Sequence, residues 1–137
     1  MDSGKFTINP VEGMKTKLDE ALEFIELRKE AENYKIFYFL RRLIAKTYGI
    51  SVQSLETSQD LKSSEARMIF LYLLKNHTDY SYRLIGVLLG AKQHSQIHHS
   101  IKLLAGYFKK NLYRSTILSN CLKAEKCLKD FLESDRI

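Results

Sequence analysis

Apolar residues recur at spacings of three and four along most of this chain, which is the spacing that places side chains on one face of an α-helix. The first run comprises Val11, Met14, Leu18, Leu22 and Ile25, and lysines and glutamates occupy the other faces. The segments between such runs are short and polar, and they require no β-strand. The pattern therefore predicts an all-α protein of about six helices.

The length of the chain limits the number of domains. With 137 residues, it can bury one hydrophobic core but is too short for a two-domain enzyme. Apolar residues make up 45% and charged residues 28%, without any low-complexity tract, which excludes a disordered or collagen-like chain. We expect a single soluble globular domain.

Capping residues and glycines indicate where the first three helices begin and end. Asn9-Pro10 is a suitable start for the first helix, the pattern restarts near Tyr34, and Tyr48-Gly49 is a stop signal. Residues 50–63 are mostly polar and predict a short turn and an ordered loop. A third helix, which starts at Ser64-Glu65, is apolar on nearly every side and should be central and buried.

Two further helices are joined by a tight glycine-containing turn. Ser81 caps a short helix over residues 82–89, residues 90–93 form the turn, and another helix runs over about 94–108. Two helices joined in this way predict a helix-turn-helix. The second of them has an inward face of Ile97, Ile101, Leu104 and Phe108, and a polar face of Ser95, His98, His99 and Lys102.

The last helix is predicted over residues 112–131, and it packs on the core or on a second copy. Its expected buried residues are Leu118, Cys121, Leu122, Leu128 and Phe131. Cys121 and Cys127 are too few for a disulfide framework and are interpreted as buried thiols of a reducing compartment. No apolar run is long enough for a signal peptide or a membrane span, so we expect a cytoplasmic protein without a membrane partner.

Positive charge is concentrated in the middle of the chain. Residues 62–114 hold nine basic residues and only two acidic ones, whereas residues 1–60 hold nine basic and ten acidic residues. A solvated helical surface can be basic by chance. A basic stretch around a helix-turn-helix is, however, also what DNA binding requires.

The sequence lacks the motifs of the common enzyme classes. Its glycines do not have the spacing of a phosphate-binding loop, and no recognised nucleophile motif surrounds any Ser, Cys or His. His94 and His98 are four residues apart and share one side of a helix, but no nearby carboxylate or thiol completes a metal site. We therefore expect no catalysis, no bound nucleotide, no cofactor and no metal.

Three segments of the chain carry the motifs of one known protein family. Residues 85–100, IGVLLGAKQHSQIHHS, are similar to the family signature, which is approximately IGxxFGGRDHTTVxHA. Residues 43–50, LIAKTYGI, resemble a family helix that ends in Y-x-I. Arg67, the apolar helix after it and residues 78–81, TDYS, match a third family segment in order and spacing. The chain thus resembles the C-terminal domain of the bacterial chromosomal replication initiator DnaA, a Trp-repressor-like helix-turn-helix.

The resemblance covers residues 34–108 and does not include the family's ATPase domain. It implies a DnaA-C-terminal-like core with a helical extension over residues 1–33 and an amphipathic helix over residues 109–137. It also implies that the start of the second helix enters the major groove of double-stranded DNA. The residues placed there on base edges are Lys92, Gln93, His94, Ser95 and Gln96.

The chain departs from the family pattern in two places. Gln93, Ser95 and Gln96 replace an Asp and two Thr, so the family's own DNA box is not the expected target. Residues 57–64, TSQDLKSS, replace an arginine-rich loop, which removes part of the electrostatic attraction to DNA. The residues expected to contact phosphates are Lys62, Arg67, Arg83, His99, Lys102, Lys109 and Lys110.

The sequence thus favours sequence-specific or semi-specific binding of double-stranded DNA, in a role linked to replication, to regulation or to a mobile element. The alternative is a helical protein-interaction module that keeps the fold and has lost DNA binding. Because the terminal helices are amphipathic, we also expect a homodimer formed through one of them.

Overall fold

A computed structural model describes residues 16–90, 92–110 and 115–134, and within these ranges it contains six α-helices and no strand. This confirms the all-α prediction. The helices are α1 (Lys17–Tyr48), α2 (Val52–Thr57), α3 (Leu61–His77), α4 (Tyr82–Leu88), α5 (His94–Lys109) and α6 (Thr116–Ser134). In the described part of the chain, no helix has both the length and the hydropathy needed to cross a membrane.

Helix α1 is one continuous helix of 32 residues, so the predicted interruption near Tyr34 is wrong. The chain has no glycine or proline between residues 14 and 48, and a change of hydrophobic pattern does not by itself end a helix. Thr16 and Asp19 cap its start reciprocally, since each backbone N–H donates to the other side chain. Gly49, with φ of 65°, ends it as predicted. The predicted start at Asn9-Pro10 lies outside the described residues.

The chain divides into two units, the first ending at Glu32 and the second beginning at Asn33. In the first unit, every described residue from Thr16 to Glu32 is exposed, including Leu18, Leu22 and Ile25. The second unit contains the hydrophobic core.

Helix α3 is the centre of the second unit, as the sequence predicted, and packs against α2, α5 and α6. Its buried residues are Ser63, Ala66, Ile69, Phe70, Leu71, Leu73 and Leu74. Helix α6 adds Leu118, Cys121 and Leu128 to this core, and the Phe131 ring stacks on Phe39 with centroids 4.2 Å apart.

Two predictions for α6 are wrong, because Leu122 and Cys127 are exposed rather than buried. Both residues fall on the side of the amphipathic helix that faces solvent. In contrast, burial raises the pKa of the Cys121 thiol to about 12, so that thiol stays protonated.

The segment predicted as a turn and loop contains α2, and α3 begins earlier than expected. Ser51 caps α2 by accepting a hydrogen bond from the Ser54 N–H. Asp60 caps α3 by accepting one from the Ser63 N–H at 3.1 Å, which starts the helix at Leu61 instead of Ser64. The connection between α2 and α3 is therefore reduced to residues 58–60.

Acid should weaken the start of α3 through the Asp60 cap. Hydrogen bonds from Ser58 and Ser63 lower the pKa of Asp60 to about 2. Because this value is below the unfolded-state value of about 4, the carboxylate stabilises the fold above about pH 4. That contribution is lost as the pH falls from about 4 to about 2.

The variant Asp60→Asn measures this effect, since Asn also caps helices but does not titrate. We expect its thermal midpoint to be below that of the wild type at pH 7 and equal to it near pH 2. Circular dichroism melts between pH 2 and 7 give the difference in thermal midpoint between the two proteins. Because the other carboxyl groups titrate in both proteins, their effect cancels in this difference. A difference that does not change with pH would contradict the assignment.

Candidate nucleic-acid interface

Helices α4 and α5 and the turn between them form the predicted helix-turn-helix. Ser81 caps α4 by accepting a hydrogen bond from the Leu84 N–H at 3.1 Å. Gly90, with φ of 82°, reverses the chain, and the Lys92 N–H then donates to the Gly86 carbonyl at 2.9 Å. Only glycine adopts such a φ without steric cost, which explains the residue at position 90.

Gly86 allows this turn to pass close to α4. A Cβ at this position would lie 2.5 Å from the Lys92 carbonyl oxygen and 3.2 Å from the Ile97 Cδ1. Real Cβ atoms essentially never make a contact as short as 2.5 Å, so a larger residue would push the turn and the start of α5 away from α4. The angle between the two helices therefore depends on Gly86.

The first turn of α5 presents polar side chains to solvent. Gln93 is the N-cap residue, but its side chain makes no capping hydrogen bond, so its amide is available to a ligand. His94, Ser95 and Gln96 are exposed, and Lys92 is half-buried. On the opposite side of α5, Ile97, Ile101 and Leu104 are buried, as the sequence predicted. The five predicted base-contacting residues thus lie together at one end of a helix that the core holds in place.

His94 and His98 lie on one side of α5, as their spacing predicted, and both pack on Tyr82 of α4. Their ring centroids are 5.4 Å and 4.9 Å from that of Tyr82. Lys75 Nζ lies 4.5 Å from the centroid of the Tyr82 ring and donates to the Tyr80 carbonyl at 3.0 Å. Among the described residues, no group of three or more His, Cys, Asp or Glu is arranged to hold a metal ion.

Tyr82 and Lys75 were not among the residues singled out in the sequence. The rings of Tyr82, His94 and His98 join α4 to α5, and Lys75 joins this cluster to α3. An aromatic residue directly after the α4 cap was the available signal. Its contact with α5 depends on the turn between the helices.

Arg67 stabilises α2, a role that the sequence did not reveal. Its Nε donates to the Leu55 carbonyl at 2.8 Å, and its Nη2 donates to the carbonyls of Ser54 and Ser58. These carbonyls include the last turn of α2, where backbone acceptors lack partners within the helix. The predicted phosphate contact of Arg67 is therefore left to the third nitrogen of the guanidinium group.

Arg67 also affects the electrostatics of the turn. The pKa of Lys92 is lowered from its ordinary value, firstly by partial burial and secondly by the positive charge of Arg67. Two cations that repel each other in this way create a local positive potential. An anion bound beside Lys92 would relieve the repulsion.

The remaining predicted phosphate-contacting residues are exposed but belong to different elements. Lys62 lies in the first turn of α3 and Arg83 in α4. His99 and Lys102 follow the first turn of α5, whereas Lys109 and Lys110 are at its far end. At 1.5 Å per residue, these last two lysines lie roughly 20 Å along α5 from the predicted reading residues.

Comparison with known proteins shows which family the middle of the chain is similar to. Residues 40–103 match the family described as the bacterial DnaA protein helix-turn-helix. The chain is 38% identical over 78 residues to the chromosomal replication initiator protein DnaA of Gloeothece citriformis, which covers 56% of this chain and 17% of that protein. No solved structure shows a significant match.

Other relatives give the same result. The DnaA of a Picosynechococcus species is 33% identical over 79 residues, or 57% of this chain and 18% of that protein. The DnaA of Bacteroides thetaiotaomicron is 32% identical over 66 residues, which cover 47% of this chain and 14% of that protein. The chain thus spans less than a fifth of the length of these relatives. The matched range includes α2, α3, α4 and the glycine turn, so this part of the chain is a DnaA-C-terminal-like helix-turn-helix domain.

Proposed function

We propose that this protein binds double-stranded DNA with sequence preference, through the first turn of α5, and that it catalyses no reaction. The observation that carries this proposal is the set of exposed polar residues at the start of α5, above a buried face that fixes the helix. In a helix-turn-helix, this part of the second helix reaches base edges. The match to the DnaA domain supports the same role.

The side chains at this end have suitable hydrogen-bonding groups. Gln93 and Gln96 each offer a donor and an acceptor, the pair that adenine presents in the major groove. Lys92 can donate to guanine, and His94 and Ser95 can bond to either kind of edge or to a phosphate. Lys62, Arg83, His99 and Lys102 would hold the backbone, with Lys109 and Lys110 farther along the duplex.

We assign DNA binding to residues 34–108, with residues 1–33 and 109–137 as additions to this domain. Since Lys62 is the basic residue in the segment 57–64 and Asp60 is used as a helix cap, we expect weaker affinity than a full arginine-rich loop would give. The role would be in replication or its regulation, in the cytoplasm where bacterial DNA lies. A second copy of this chain is a further partner, held through a terminal helix.

The second candidate function is a protein-interaction module without DNA binding. Exposed apolar residues favour it, since Leu84 and Val87 on α4 both face solvent. In a module of this kind, the first turn of α5 would bind no DNA, and the basic residues would only keep the protein surface hydrated.

A gel-shift titration of a random duplex across a salt series separates the two functions. A DNA-binding protein should lose affinity steadily with added salt, whereas an interaction module should not shift the duplex at any salt concentration. We expect Lys102→Ala to weaken binding about equally on all duplexes and to reduce the salt slope by about 0.9, the value for one lost phosphate contact.

The matched control is Lys126→Ala, which removes an exposed lysine from α6, outside the basic stretch. It should leave both the affinity and the salt slope unchanged. Equal binding by wild type and Lys102→Ala would remove Lys102 from the interface. Equal losses in the two variants would show only a general effect of net charge.

A further inference from the structure

Helix α1 carries apolar residues on two opposite sides. At 100° per residue, Leu22 and Ile25 lie within about 40° of Leu18, whereas Leu27 lies about 180° from it. All four residues are exposed. A helix with two uncovered apolar stripes is unstable in water unless something covers at least one of them.

One of these stripes follows a coiled-coil repeat. Phe24, Leu27, Ala31, Tyr34 and Tyr38 are spaced by three and four residues in alternation, the spacing of positions a and d in a heptad. We call these five residues the outer seam. The exposed fractions of its large side chains are 61% for Phe24, 59% for Leu27, 54% for Tyr34 and 42% for Tyr38.

The residues beside the outer seam are charged in a complementary order. In this register, Glu23 and Glu30 occupy g positions, and Arg28 and Lys35 occupy e positions. In a parallel pair of helices, each g residue meets the e residue five positions later on the partner. Glu23 would therefore face Arg28 of a second copy, and Glu30 would face Lys35 of that copy.

In an antiparallel pair of these helices, like charges would face each other. There, g positions meet g positions and e positions meet e positions, so glutamates would oppose glutamates and basic residues would oppose basic residues. Like charges at this distance are unfavourable. The charge pattern thus favours one orientation and disfavours the other.

The other stripe has no comparable pattern. In the register that places Leu18, Leu22 and Ile25 at d, a and d, the corresponding g and e pairs are Ala21 with Glu26 and Arg28 with Asn33. Neither pair joins opposite charges. Only the outer seam, of the two stripes, combines apolar a and d positions with complementary flanks.

We propose that the outer seam binds a second copy of this chain and forms a parallel, two-stranded coiled coil. This self-association goes beyond DNA binding and does not depend on it. The seam spans residues 24–38, about two heptads, so the dimer is weak and its population depends on protein concentration. Two linked helix-turn-helix domains would bind two DNA half-sites with increased overall affinity.

The first experiment locates the contact with a matched pair of variants. Leu27→Glu places a charge in the outer seam, and Leu18→Glu places the same charge on the opposite side of α1, at a residue of similar exposure. In sedimentation equilibrium, wild type and Leu18→Glu should approach twice the 16.0 kDa of one chain as concentration rises, whereas Leu27→Glu should remain at 16.0 kDa. A monomeric wild type, or loss of the dimer only in Leu18→Glu, would overturn the proposal.

The second experiment tests the orientation by exchanging charges. The double variant Glu23→Lys, Glu30→Lys should be monomeric, because four basic residues would then flank the seam on each chain. Adding Arg28→Glu and Lys35→Glu restores opposite pairs and should restore the dimer. An antiparallel dimer would not respond in this way, because its g positions would oppose like charges in both wild type and the double variant. Unchanged dimerisation of the double variant would therefore overturn the parallel arrangement.

DNA binding serves as an independent measurement in both experiments. All six substituted residues lie on α1, outside the first turn of α5, so each variant should still shift a random duplex at concentrations where the wild type is monomeric. Loss of the dimer with retained DNA binding is the expected result. A wild type that dimerises without binding DNA would disprove the DNA-binding function and leave the coiled coil intact.

Discussion

Replacing Gly86 with alanine should lower the free energy of unfolding by about 2 kcal/mol and impair DNA binding in the molecules that remain folded. The new methyl group would lie 2.5 Å from a backbone oxygen, that of Lys92, which cannot rotate away as a flexible side chain could. Overpacking of this kind costs up to about 3 kcal/mol, and the better helix propensity of alanine recovers up to about 1 kcal/mol. Urea denaturation gives the difference between the two proteins.

Gly106→Ala is the matched control, because it makes the same substitution in α5 where, apart from its chain neighbours and the backbone of the helix itself, no atom lies within 4 Å of the new methyl group. It should raise the free energy of unfolding by about 0.5 to 1 kcal/mol, the usual gain for this change within a helix. If both variants were equally stable, the close approach of the turn to α4 would not determine the stability of the domain.

Replacing Gln93 with aspartate should change the DNA sequence that the protein selects at one base position, by about 1 to 3 kcal/mol of discrimination. Glutamine both donates and accepts, which suits adenine, whereas a carboxylate only accepts, as from the amino group of cytosine. Selection from randomised duplexes with each protein gives two consensus sequences. We expect them to differ at the base that faces residue 93 and to agree elsewhere.

Aspartate can also cap α5, so the variant should be compared by its consensus and not only by its affinity. Gln53→Asp is the control, since Gln53 is an exposed glutamine on α2 and not in the interface. It should give the wild-type consensus. An unchanged consensus for Gln93→Asp would remove Gln93 from the reading surface, and a lack of enrichment with every protein would support the interaction module.

The parts of the fold that depend on local signals could be predicted from the sequence. Ser81 and the two glycines at positions 49 and 90 set helix ends through hydrogen bonds and backbone angles of nearby residues, and the structure has them where they were expected. The α1 prediction failed because a change in apolar pattern was interpreted as an end, although no helix-breaking residue is present.

The features that could not be predicted depend on contacts between distant residues. Helix α2 was expected as a turn and loop, and its last carbonyls are held by Arg67, twelve residues from Leu55. Arg67 was instead assigned to phosphate, because a basic side chain in a sequence does not show which acceptors surround it. The shared side of His94 and His98 follows from helical spacing, but their contact with Tyr82 requires the geometry of the turn.

The capping of α5 differs from that of its neighbours, and this affects how the protein can change during evolution. Ser51, Asp60 and Ser81 each bond a backbone N–H at the start of a helix, so replacing them costs stability. The Gln93 side chain makes no such bond. Substitutions at position 93 therefore remove no helix cap, and selection can alter the chemistry presented at the start of α5 without the loss of a capping hydrogen bond.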